Sequence, residues 1–332
     1  VVVYGDAAHP TAVGQLFWLL HRAGFAEVRV LAGGIETWEA AGGRLETGDA
    51  RRRPEVFRAP APLPGVDRDR LAARFGTGEV EVVDVRGEAV WAGEGGHVPH
   101  SLPYDFTALL APEAGSPAGA GASRWPEPEA ARLEIGRLGP RRGTYVDLGA
   151  TFVVYGEGPD DPRAGLGFLL LRLAGVEAEV YAGGWKDWTA APDSPVVQIV
   201  SAVELAALLE PSNPGLEADR PDPAVPVFDV RGELDHAAGH LPGAVSLPAQ
   251  LCAERFPEAV PPPAGGGDRF ATPVAFYCYG RTCIRSRDCS TAAARAGFRH
   301  LLWLRDGVPA WQQAGLPLFR SRPGEDRPVT SH

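Results

Sequence analysis

The chain has 332 residues, 45% of them apolar and 22% charged, with a formal net charge of −10. Those proportions are those of a soluble globular protein of two or three domains. The acidic balance excludes non-specific nucleic-acid binding, and no apolar run reaches the length of a membrane span, since LGFLLLRLAGV (166–176) is short and carries Arg172.

Residues 1–48 read as a buried strand (VVVY), a helix over 12–24 closed by Gly24, a second strand (VRVL), and a turn with a short helix (GGIETWEAAGG). This is the back half of a repeating unit. Its front half occurs nowhere else in the chain, so an N-terminally truncated unit with open strand edges is expected. No charged leader precedes an apolar core, and the Met-free chain begins inside a strand-like run, so targeting is not legible. Residues 49–66 form a Pro-rich linker with a basic patch. Residues 67–192 open with a helix at 67–75 and the strand VEVVDV (80–85), and contain an Ala-, Gly- and Pro-rich stretch near 112–143 that reads as a loose surface insertion. Residues 193–320 open with the helix VELAALL (203–209) and the strand PVFDV (226–230), and a polar tail follows over 321–332.

Three segments mark the repeat: VVVYG (1–5), FVVYG (152–156) and AFYCY (275–279). Gly34, Gly184 and Gly307 follow 29, 28 and 29 positions after Gly5, Gly156 and Cys278, each with a Trp four residues on (Trp38, Trp188, Trp311). The three tryptophans read as core anchors. Strands alternating with helices, and apolar strands without polar alternation, predict an α/β fold with parallel sheets covered on both faces. Chemistry in such units sits where a strand ends. Only the last copy has a cysteine there; the second has Gly156.

All four cysteines (Cys252, Cys278, Cys283, Cys289) lie in the last unit. Clustering favours reactive or redox chemistry in a reducing compartment, the cytoplasm, over a disulfide framework. A thiol at a strand's end facing the N-terminus of the next helix is stabilised as thiolate by free N–H groups and the helix dipole. Arg281, Arg285 and Arg287 add positive charge suited to an anionic substrate. A metal held by Cys278, Cys283 and Cys289 with Cys252 or His240 lacks zinc-knuckle spacing. A cysteine-loop phosphatase or arsenate reductase wants Cys-x5-Arg, and Arg285 lies one residue too far.

The last unit carries FDVRGELDHAAGHLPGAVSLP (228–248), the Cys278 strand end, and the closing Gly307 and Trp311. These features resemble a rhodanese (sulfurtransferase) domain. The second unit shares DVRGE (84–88) and GHVPHSLP (96–103), with His100 and Ser101 where Gly-Ala is usual. Residues 1–48 resemble the corresponding part of the tandem thiosulfate and mercaptopyruvate sulfurtransferases. The resemblance implies repeated domains, each a parallel five-stranded sheet flanked by helices. It also implies sulfur transfer from thiosulfate or mercaptopyruvate to a thiol, cyanide or protein acceptor through a Cys278 persulfide, with no metal or organic cofactor. The loop residues Tyr279, Gly280, Arg281, Thr282, Cys283, Ile284 and Arg285 would cradle the charged sulfur. From Cys278 to the Arg285-Ser286 pair the loop is about two residues longer than the family's commonest Cys-x-x-Gly-x-Arg-Ser. It resembles the subgroup whose loop holds a second cysteine. Cys283 then either resolves the persulfide as a disulfide, making a redox relay, or packs at the helix start. Cys289 reads as a helix-core residue. Asp229 and Arg231 share a strand face and read as braces, as do Asp84 and Arg86; His240 serves a turn before Pro242, with general-base work the lesser option. The second class of function is a non-enzymatic sulfur-carrier or redox-sensing module, and an incomplete first unit could leave the chain inactive.

Overall fold

A computed structural model describes residues 1–6, 8–48, 61–110, 125–138, 146–209, 225–260, 262 and 266–320. The chain starts with β1 (Val2–Val3), α1 (Pro10–Arg22), β2 (Arg29–Val30) and α2 (Gly34–Ala40). Next come α3 (Arg68–Arg74), β3 (Val80–Asp84), α4 (Glu88–Trp91), β4 (Ser101–Pro103), α5 (Pro128–Gly136), β5 (Thr151–Tyr155), α6 (Pro162–Leu173), β6 (Ala178–Val180) and α7 (Gly184–Ala190). The last group is β7 (Val196–Ile199), α8 (Ala202–Leu209), β8 (Val227–Asp229), α9 (Glu233–Ala238), β9 (Val245–Ser246), α10 (Cys252–Ala259), β10 (Val274–Tyr277), α11 (Arg285–Arg295), β11 (His300–Leu304) and α12 (Gly307–Gln313). Local chemistry sets the helix starts. Asp67 accepts from Arg70 N–H at α3, Asp161 accepts from Arg163 N–H at α6, and Ser201 with Glu204 closes a reciprocal capping box at α8.

Three parallel sheets form, ordered β1-β2, β4-β3-β5-β6 and β7-β11-β10-β8-β9. Only the last has the expected five strands. In the second, the place that β7 takes beside β11 is reduced to one parallel bridge, Val66 to Tyr181, because Asp67 starts α3 at once. The inner strands β3, β5 and β10 are almost wholly buried, as their unbroken apolar runs predict.

The first group departs from expectation. Of VVVY only Val2–Val3 is a strand and only Val3 is buried; Tyr4 is 61% exposed. Trp38 is 46% exposed, whereas Trp188 and Trp311 are fully buried. All three indoles donate to the backbone six or seven residues on, at Arg44, Pro195 and Pro317. The motif is therefore intact in each copy, and a two-stranded sheet lacks the surface to cover Trp38. The group docks through α1, which crosses α6 at Gly14 and Gly165. Cβ atoms there would fall 2.4 Å from Leu166 Cα and 2.5 Å from Gln15 Cα, so only glycines allow the approach. With β5 on its other side, α6 is buried nearly all round, which explains its apolar sequence. Among the described residues no helix is long and apolar enough to cross a membrane.

The stretch expected to be a loose insertion is in part ordered. Residues 128–136 form α5, and Ala131 and Ile135 are buried in the core of the second unit. Residues 111–124 and 139–145 lie outside the described residues, as do the basic patch of the linker and the tail from 321.

The second and last units share one apolar core, in which Phe75, Trp91 and Trp188 join Phe228, Phe276 and Trp303. Helix α11 is the wedge. Its Arg295 donates to the Ala73 and Phe75 carbonyls, its Thr291 fills the space beside Gly76, and its Arg287 donates to the His100 carbonyl at 2.8 Å. His100 is the only non-glycine with positive φ (65°) among the described residues, at the turn position that Gly243 (φ 65°) takes in the last unit. Such a conformation costs an L-residue other than glycine about 1 kcal/mol or more. Here it presents the carbonyl to Arg287 and the ring to Thr291.

A disulfide joins Cys252 on α10 to Cys289 on α11, 37 positions apart. This corrects the reading of Cys289 as a plain helix-core residue and of the cysteines as free of disulfide bonding: the two residues, distant in sequence, meet only when both helices pack on β10. A loop of that length should contribute about 3–4 kcal/mol. Cys252→Ser is expected to lower stability by about that amount in oxidising buffer and by far less under reductant, as measured by urea unfolding in both.

Candidate functional site

Strand β10 sits mid-sheet between β8 and β11, so the residue that follows it emerges where three strand ends meet. That residue is Cys278, 1% exposed. The turn after it is fixed by Gly307 (φ 60°), packed on the Cys278 carbonyl. A Cβ at Gly307 would lie 2.3 Å from that oxygen and 2.6 Å from Gly280 N. Gly184 stands in the same relation to Gly156 and Gly158, and Gly34 to Gly5. The constant spacing in the sequence is thus one contact made three times.

Beneath the loop lies a buried network. Arg231 donates from Nε to Asp229 Oδ1 (2.9 Å), and from Nη2 to Asp229 Oδ2 and the Gly239 carbonyl (2.6 Å each). The Tyr277 hydroxyl donates to Asp229 Oδ2 at 2.7 Å and accepts from Leu241 N–H. His236 Nδ1 lies 3.1 Å from the same carboxylate oxygen. Burial alone would raise the Asp229 carboxyl, but hydrogen bonds from His236, Arg231 and Tyr277 bring it down to about 2. Asp84, Arg86, Gly96, Tyr155 and Val98 repeat the arrangement in the second unit. A network common to units with and without the cysteine braces the strand ends. Neither Tyr277 nor His236 had been singled out in the sequence, although the Tyr before the strand-end position recurs in all three copies.

His240 is buried. Its Nδ1 faces the His236 carbonyl, its ring stacks on His236, and its backbone pairs with Phe319. Burial holds its imidazole below the ordinary pKa. His97 repeats this place, with the Trp91 carbonyl and Val197 as partners. The arrangement suits a tether better than a base.

The loop itself runs Tyr279, Gly280, Arg281, Thr282, Cys283, Ile284 and then Arg285 at the first turn of α11. Cys278 and Cys283 face each other across the loop as a disulfide pair, with a Cα–Cα distance of 6.4 Å. Tyr279 is exposed, donates to Asp235 Oδ2, and lies between the Arg231 and Arg285 guanidiniums (5.9 and 5.8 Å). Arg281 and Thr282 are exposed. Among the described residues the N–H groups of Tyr279, Gly280, Arg281 and Thr282 have no acceptor, while Cys283 N–H closes a turn on the Gly280 carbonyl. Of the three arginines expected to charge the loop, Arg287 does not. It is buried against the second unit, because α11 turns that face to His100.

The second unit shows what its loop holds in place of a thiol. A Cβ on Gly156 would lie 2.4 Å from Asp161 Oδ2. The Asp161 carboxylate accepts from Glu157 N–H (2.8 Å) and Arg163 N–H, and pairs with the Arg163 guanidinium. Glu157 corresponds to Tyr279, whose N–H has no acceptor. One loop carries a permanent anion and the other leaves its donors open.

The family model described as Rhodanese-like domain matches residues 67–191 and 213–314, more than half of the chain. A thiosulfate sulfurtransferase of Azotobacter vinelandii is 29% identical over 207 residues, covering 59% of this chain and 68% of that protein. A thiosulfate sulfurtransferase of Pseudomonas aeruginosa is 30% identical over 216 residues, with the same coverage. Among solved structures, the anaerobic ergothioneine biosynthesis enzyme of Chlorobium limicola matches with a TM-score of 0.44 at 22% identity. That match covers 59% of this chain and half of that one.

Two outcomes follow from this geometry. Asp229 has its pKa depressed on folding, so its stabilisation is complete above about pH 4 and lost as pH falls toward 2. Asp229→Asn should destabilise by about 3–5 kcal/mol at pH 7, leaving Arg231 buried without its counterion. The gap to the parent should narrow by about 2 kcal/mol between pH 5 and pH 2, checked by urea titration across that range. Gly156→Cys alone should overpack Asp161, costing about 1–3 kcal/mol, and yield no rapidly alkylated thiol. Adding Asp161→Ala should recover part of that loss in thermal unfolding.

Proposed function

From the premise that the chain belongs to the rhodanese-like domain family, we propose that it is a sulfurtransferase whose last unit carries sulfur on Cys278. The observation that supports this most is the contrast between the two loops. The Asp161 carboxylate sits on the loop donors in the unit without cysteine, and the corresponding donors are open beside Cys278. They suit a thiolate and then a persulfide anion, with the N-terminus of α11 adding to both. In the first step the Cys278 thiolate attacks the outer sulfur of thiosulfate, the S–S bond breaks, and sulfite leaves with the bonding pair. In the second, an acceptor thiolate or cyanide takes the outer sulfur and restores the Cys278 thiolate. Mercaptopyruvate is the alternative donor. Arg281, Thr282, Ile284 and Arg285 line the loop in this reading, and Asp229, Arg231 and His240 support it.

The Cys278–Cys283 bond favours a second reading, a thiol-redox relay. The Cys283 thiolate attacks Cys278 of the protonated persulfide, a disulfide forms, and hydrosulfide leaves; an external dithiol then reduces the disulfide. The cytoplasm, the compartment proposed from the clustered cysteines, supplies such dithiols.

Reduced protein incubated with thiosulfate or mercaptopyruvate should gain one sulfur atom by intact mass. The gain should be absent in Cys278→Ser, kept in Cys283→Ser, and discharged by cyanide or a thiol. A folded protein that gains no sulfur from either donor sinks the transfer reading. A Cys278–Cys283 disulfide with released hydrosulfide selects the relay.

A further inference from the structure

The unit without cysteine reaches into the Cys278 loop at one charged residue. Glu88 opens α4 of the second unit, and its Oε1 accepts from Arg281 Nη2 at 2.7 Å. The same oxygen accepts from Arg305 Nη1 at 3.5 Å. Arg281 lies three residues after Cys278, and Arg305 two before Gly307, which packs on the Cys278 carbonyl. Arg305 is held below its ordinary pKa by burial and by Arg281, and lies over the Trp91 ring of the second unit. One carboxylate therefore pairs with both guanidiniums that flank the loop and offsets part of their charge, leaving Arg285 without an ion pair among the described residues. The Glu88–Arg281 pair is 60% exposed on both sides. So exposed a pair contributes little to stability and is poorly explained as a structural clasp.

We propose that Glu88 is a specificity-determining residue of the Cys278 site, supplied by the unit that lacks the cysteine, and that it sets the loop against dianionic donors. The inference rests on the reading of Cys278 as the sulfur-accepting thiol. Thiosulfate carries two negative charges and mercaptopyruvate one, so an added carboxylate at the rim disfavours thiosulfate the more. Removing it frees Arg281 and Arg305 for the donor.

The test uses the reduced full chain, the variants Glu88→Gln and Glu88→Lys, and two small alkylating probes read at Cys278 by peptide mass. Iodoacetate is anionic and iodoacetamide neutral, so their rate ratio reports the field at the thiol without any sulfur transfer. Glu88→Gln should raise that ratio about twofold to fivefold at low salt, and Glu88→Lys more. The shift should vanish near 0.5 M salt, where screening acts over roughly 4 Å. In turnover, kcat/KM for thiosulfate relative to mercaptopyruvate should rise in the same order. A ratio unmoved in both variants overturns the inference, even if sulfur uptake proceeds. A ratio that moves in a protein gaining no sulfur leaves the Glu88 assignment standing and overturns the transfer reading. Failure of both probes to reach Cys278 in the folded, reduced chain overturns both.

Discussion

The close approach of Gly307 to the Cys278 carbonyl is the contact on which the rest of the site depends. No side chain fits at 2.3 Å, and few L-residues accept φ of 60°. The contact locks the turn after β10 to the turn before α12. It thereby fixes where Cys278 points, where the loop N–H groups face, and where Arg305 enters the rim. Its two counterparts, at Gly184 and Gly34, show that the lock belongs to the unit and not to the chemistry.

The unit without cysteine is more than a relic of duplication. It covers α11 along one face, takes Arg287 and Thr291 through the positive-φ His100, and continues the apolar core through Trp91 and Trp303. Helix α11 carries the Cys278 loop at its start. The loop's position is therefore set by packing against a neighbouring unit as much as by its own sheet. Asp161 removes any call for an external anion in the second loop, which leaves that unit free to serve as a scaffold.

Two electrostatic layers surround Cys278. The lower one, Asp229 with Arg231, Tyr277 and His236, is buried and mutually satisfied, so it is rigid and insensitive to salt. The upper one, Arg281 and Arg285 with Glu88, is exposed and weakly held. Rigidity below and exchangeable charge above separate a fixed backbone frame around Cys278 from a rim whose charges are held only by exposed pairs.

The repeat, the parallel α/β class, the strand-end position of Cys278 and the pairing of Asp229 with Arg231 were all legible in the linear sequence. Each rests on a local signal: unbroken apolar strands, a glycine at fixed distance, an i, i+2 pair on one strand face. What escaped the sequence is long-range. The Cys252–Cys289 bond, the turning of Arg287 away from the loop, the exposure of Trp38 and the meeting of Glu88 with Arg281 each join residues from elements that only packing brings together. Spacing determined which atoms each unit presents; the burial of α11 between two units decided which of them face the thiol, because one helix face cannot serve both the interface and the loop.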